Sequence, residues 1–171
     1  MKYRISTALF FFLMSSTVTA AEKLTPEKVL AHIASVGAKK AVIDYYEKPG
    51  WPAITQGIAS GNSDWLKVYV ALVPVADAAA VEDLGDAIFD VLPAQPFKVL
   101  PILTAKGQYT VEQLCTFTFE SKIPSGGINA YLNRLEKSLR KADSKEQRSM
   151  ADSCRSGVGV TRENFKSSPD Y

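Results

Sequence analysis

Apolar positions along most of this chain recur every third or fourth residue rather than every second one, and Pro or Gly cuts the pattern into helix-length pieces. The densest part, residues 51–103, holds both tryptophans. Ile54 and Ile58 lie one turn apart ahead of Gly61-Asn62, and Gly57 leaves room for another helix to come close. Asn62 or Ser63 then caps a helix so apolar, through Leu66, Val68, Tyr69, Val70, Ala71 and Leu72, that neighbours must enclose most of it. Pro74 cuts into its end. Asp77 caps a helix over residues 78–92 that turns Val81, Leu84, Ile88 and Val91 inward. After Pro93 and Pro96 the pattern resumes with Phe97, Val99, Leu100, Ile102 and Leu103.

The flanks obey the same rule. Thr25-Pro26-Glu27 is a helix start, and Val29, Leu30, Ile33, Val36, Ala38, Val42 and Tyr45 or Tyr46 continue along one face, with a bend expected at Gly37. Beyond residue 103, a helix capped by Thr110 is predicted to carry Val111, Leu114, Cys115 and Phe117. The alternation from Thr116 to Phe119 is strand-like but too brief to outvote its surroundings. Residues 123–127 form a loop. Ile128, Tyr131, Leu132, Leu135 and Leu139 then make an amphipathic helix whose other face carries Arg134, Lys137, Arg140 and Lys141. A last polar helix ends at Cys154 with only Met150 and Ala151 to bury, so a disulfide is expected to hold it. From Arg155 no periodicity is visible, and residues 155–171 are expected to be a flexible tail.

Some of these helices match one another. Ile54 and Ile58 stand 30 residues before Leu84 and Ile88, and Leu66, Val68, Tyr69, Ala71 and Leu72 stand 31 before Phe97, Val99, Leu100, Ile102 and Leu103. Val81 to Leu84 stands 30 before Val111 to Leu114. Over roughly residues 51–139 this period resembles a short form of the HEAT or armadillo type of helical repeat. The resemblance implies a short right-handed stack of helical hairpins; the same hairpins also suit a compact, non-repetitive bundle. Both are all-α, with a single helical domain over residues 24–154.

Composition adds a compartment. Lys2 and Arg4, the apolar run 5–14 and the small residues before Ala20 have the layout of a signal peptide, residues 1–20, cleaved after Ala20 or Ala21. A run of roughly ten apolar residues is too short to span a bilayer. The protein is therefore expected to be exported, to a periplasm, without stable membrane insertion. Two of the 20 basic side chains fall in this leader, so the remainder balances 18 acids and is formally neutral. That argues against nucleic acid as the main partner. Cys115 and Cys154 are the only cysteines, which in an oxidising compartment read as one disulfide.

Candidate chemistry is sparse. Glu82, Asp86 and Asp90 stand four apart on one helix face, with Asp83 alongside. Residues 64–98 carry six acids against two bases, while residues 131–171 carry nine bases against six acids. A neutral chain divided in this way suits steered association with another protein, the acidic row meeting a basic partner surface. An envelope hydrolase would need an acid of that row with His32, yet an exposed helix face lacks the desolvation that raises an acid's pKa. A carrier of a small apolar ligand would use a cavity near Trp51, Trp65, Tyr69 and Phe97. Neither a metal motif nor a phosphate loop is present, so no metal, cofactor or catalytic residue is expected. The basic stretch 134–148 is interspersed with Glu136, Asp143 and Glu146, as in a solvated face rather than a lipid-binding one. The reading is an exported, non-catalytic protein-binding domain, in its sharpest form an inhibitor or immunity-type protein of the cell envelope.

Overall fold

Thr25 accepts the Lys28 amide on its hydroxyl at 3.4 Å and starts α1 (Pro26–Val36), with proline at a position whose N–H the helix does not use. The structure, a computed structural model, describes residues 23–119 and 122–168; the expected leader over residues 1–20 lies outside them. Gly37, at φ 84°, does more than bend the chain, because it separates α1 from α2 (Ala38–Tyr45). After α3 (Trp51–Ala59), the Asn62 carboxamide accepts the amides of Asp64 and Trp65 and begins α4 (Ser63–Leu72). Pro74 tightens the end of α4 into a 3₁₀ turn, Val73–Val75. Asp77 accepts the Ala80 amide at 3.0 Å and begins α5 (Ala78–Val91), which buries Ala80, Leu84, Ala87, Ile88 and Val91. Val81, expected inside, is exposed. α6 (Pro96–Thr104) continues past an exposed Pro101.

The all-α fold is what the described residues adopt: nine α-helices, one 3₁₀ turn and no strand among them. α3 lies against α5 and α4 against α6, the pairs that the 30-residue offset matches. Gly57 is the close approach between α3 and α4: a Cβ there would sit 2.4 Å from the indole of Trp65. The offset stops at α6. α7 (Val111–Leu114) is a single turn, closed by a capping box between Thr110 and Gln113, and it packs chiefly on α9. Cys115 and Phe117 therefore leave the helix expected for them and run on in an irregular segment. α8 (Gly127–Leu139) buries the Ile128, Tyr131, Leu132, Leu135 and Leu139 face its spacing predicts.

The C-terminal end is where the expectation fails. Ser144 caps α9, which runs from Lys145 to Phe165, well beyond Cys154. The stretch expected to be a tail from Arg155 is thus helical through Phe165, and of that stretch residues 169–171 lie outside the described residues. Ala151, Cys154, Val158 and Thr161 are all fully buried, and Phe165 packs on the core. Their 3–4 spacing is a true helical stripe, disguised because most of its members are small or polar. The Cys115–Cys154 disulfide is formed, with Cα atoms 5.2 Å apart, but packing shares the load. Gly157 lets α9 meet the α7 backbone, since a Cβ there would stand 2.3 Å from the Glu112 carbonyl oxygen. The Thr161 hydroxyl accepts the Phe117 amide at 2.9 Å. Arg162 donates to Asn129 at 2.5 Å, to Asn133 at 2.8 Å and to Glu136 at 3.2 Å on α8. No helix among the described residues is long and apolar enough to cross a membrane.

Candidate functional site

The acidic row stands on α5, and the fold gives its members different duties. Glu82 is exposed. Asp83, its neighbour, accepts the buried Trp51 indole N–H at 2.8 Å and so joins α5 to α3. Asp86 is half-buried and borders a groove of about 360 Å³ between α3 and α5, together with Thr55 and Gln56 of α3. Asp90 ends the row, and Lys122 reaches both its oxygens, at 2.9 and 3.1 Å. Both partners are exposed, so this pair contributes at most about 1 kcal/mol and matters more for where it places charge. The negative field is felt nearby. Burial first, then the charges of Asp83, Glu47, Asp77 and Glu82, hold the Tyr46 phenol above its ordinary range. Tyr46 itself stands edge-on to Trp51, ring centroids 5.2 Å apart.

Beyond the Asp90–Lys122 pair the surface changes sign. A second cleft, of about 470 Å³, opens between the end of α5, the 122–125 segment and α8. Phe89, Pro93, Ala94 and Pro124 give it apolar walls, and Lys122, Arg134, Lys137 and Lys141 give it charge. The Asp90–Lys122 pair borders both clefts and divides an acidic one from a basic one. Lys122 comes from a loop without periodicity, so nothing local in the sequence assigns it to this place. Tyr131 reads in the sequence as one more core position of α8; its hydroxyl, the only polar atom on that face, was the available signal.

The residues named for rival chemistries are not brought together. His32 has a partner after all: its Nε2 lies 3.0 Å from Asp44 of α2, not beside Glu82 or Asp86 of α5. Hydrogen bonds from Lys40 and then His32 hold the Asp44 carboxyl below its usual range. Of the four aromatics offered for a carrier cavity, the two tryptophans border different clefts. Trp51 borders the α3–α5 groove, whereas Trp65 borders a different cleft beside Lys23, Leu24 and Asn62. Tyr69 is buried, and burial pushes its phenol up to about 12. Among the described residues no group of three or more His, Cys, Asp or Glu is arranged to hold a metal ion. Comparison of the chain with protein-family models, with curated proteins and with solved structures finds no match, so the functional reading rests on this geometry.

Proposed function

We propose that this is an exported, non-catalytic binding protein whose α3–α5 face takes a basic surface of another protein. The observation that carries the reading is the acidic face of α5: Asp83, Asp86 and Asp90 line one groove, Glu82 is exposed one turn before Asp86, and a surface of opposite sign bounds them. Adjoining patches of opposite charge orient a partner as well as attract it. Asp83 accepts from Trp51, Asp90 is paired with Lys122, and His32 is taken by Asp44; these pairings favour recognition over catalysis. Export is supported by the leader-like pattern in residues 1–20 and by the Cys115–Cys154 disulfide, which suits an oxidising compartment. The narrower form of the proposal is an inhibitor or immunity-type protein acting in the cell envelope.

The test is capture from envelope extract followed by kinetics. The protein should retain one dominant basic-surfaced partner that raised salt releases. Charge reversal by Glu82→Lys with Asp86→Lys should slow association with that partner about tenfold or more at low salt, with little change in melting temperature. An association rate at low salt equal to that of the unaltered protein rejects the acidic row as the contact.

A further inference from the structure

The Tyr131 hydroxyl is the one buried side-chain polar atom among the described residues that has no hydrogen-bond partner. Tyr131 is only 2 % exposed. Its ring cannot turn to find a partner elsewhere, because Phe89, Phe117 and Phe119 flank it, with ring centroids 6.2, 5.2 and 5.5 Å away. A buried polar group left unpaired is uncommon and calls for an explanation. Tyr131 is also one of the residues that line the basic cleft, beside Arg134.

That cleft has two further properties of a built site. Arg134 leans over the Tyr131 ring, its guanidinium carbon 6.0 Å from the centroid, and both terminal nitrogens donate to the Ser125 carbonyl at 3.4 Å. The guanidinium is thus placed by a backbone acceptor and a ring face, neither of which neutralises it. Lys137 lies one turn further along α8 and Lys141 in the turn just after it, and neither forms an ion pair among the described residues. Among the described residues that line it, four bases stand against one acid, Asp90, which is already bound by Lys122. Phe89, Pro93, Ala94 and Pro124 make the apolar wall, with Ser125 and Ser138 at the polar side.

We propose that this cleft binds a small amphipathic oxyanion, a carboxylate or phosphate joined to an apolar body, with Tyr131, Arg134, Lys137 and Lys141 on the charge and the Phe89–Pro93 wall on the body. The cleft volume of about 470 Å³ suits such a molecule. Burial keeps the phenol protonated, so Tyr131 enters as a donor, which is what an oxyanion needs. Like-charged side chains one turn apart on α8 repel one another, and an anion between them relieves that repulsion. The site shares only the Asp90–Lys122 pair with the acidic groove, and its failure would leave the role proposed for the acids of that groove untouched.

The probes are octyl phosphate and octanoate, both as monomers, titrated calorimetrically into the purified protein beside octanol and inorganic phosphate. One saturable site is expected for the amphipathic anions, with octanol and inorganic phosphate at least about tenfold weaker. Tyr131→Phe, which keeps the ring and removes only the hydroxyl, should weaken binding about tenfold while leaving the melting temperature equal or higher. Lys137→Gln with Lys141→Gln, both on the exposed face, should weaken it by a similar factor and flatten its salt dependence. Absence of saturable binding, or unchanged affinity in the lysine pair, overturns the proposal. So does unchanged affinity in Tyr131→Phe together with a lowered melting temperature, which would make the hydroxyl a structural group. Vesicles of phosphatidylglycerol form the last arm: binding to them without binding of the monomeric anions would assign these cations to a membrane surface and overturn the cleft as a site.

Discussion

Between α3 and α6 the joints are made by Ile54, Ile58, Leu66, Leu84, Val99 and Leu100, all fully or almost fully buried, whereas between α7 and α9 they are made by a disulfide, a glycine and a threonine. The first kind of joint is non-directional. Any side chains of suitable volume and spacing form it, and it announces itself in the sequence as periodicity. The second kind is directional, since it needs Gly157 against the Glu112 carbonyl, Thr161 against the Phe117 amide and Cys154 against Cys115, all along one side of α9. A helix with little apolar surface can therefore be held firmly, provided that its few contacts are specific.

The largest effect separating the two regions comes from the disulfide. Replacing Cys115 and Cys154 by Ala should cost about 4 kcal/mol on the chain-entropy model for a separation of 39 residues, read from denaturant unfolding. Hydrogen exchange should show α9 losing protection first while α3 and α5 keep theirs. Equal loss in both halves would mean that the body has no independent core. The two close-approach glycines give a smaller and sharper contrast. Gly157→Ala meets backbone, which cannot move aside, and should cost about 2–3 kcal/mol. Gly57→Ala meets the half-buried Trp65 ring 2.4 Å away, a side chain rather than backbone, and gains helix propensity, so its net cost should be the smaller, about 1–2 kcal/mol. Reversal of that order would show that the α7–α9 joint is the softer one.

The smallest effect lies at the other end, between α1 and α2, where Asp44 accepts from Lys40 and faces His32. Its carboxyl is held below the ordinary value of 3.8. A carboxyl whose folded pKa lies below its unfolded one stabilises the fold above the unfolded value, and that contribution fades as pH falls through the folded value. The tie should therefore be intact at neutral pH and lost only below about pH 4. An NMR titration of the Asp44 carboxyl should find its midpoint under 3.8, and Lys40→Gln should move it upward. A midpoint at or above the ordinary value would remove Asp44 from the joints of this fold.

The helices of the α3–α6 half, their caps at Asn62 and Asp77, the close approach at Gly57 and the disulfide partners are all written locally. Each is a matter of spacing along the chain, and spacing survives without coordinates. Glu82, Asp86 and Asp90 share a face of α5 for the same reason. The extension of α9 to Phe165 was hidden because Ala151, Cys154, Gly157 and Thr161 do not look like a buried stripe until α7 stands against them. Only the tertiary structure could decide which acid a distant partner occupies, Trp51 on Asp83 and Lys122 on Asp90, each 32 residues away. It alone could leave the Tyr131 hydroxyl buried and unpaired while the same residue lines a basic cleft under Arg134. Periodicity reports which side of a helix turns inward, because that depends on neighbours three and four residues away. It is silent on what that side will meet, because that depends on the rest of the chain.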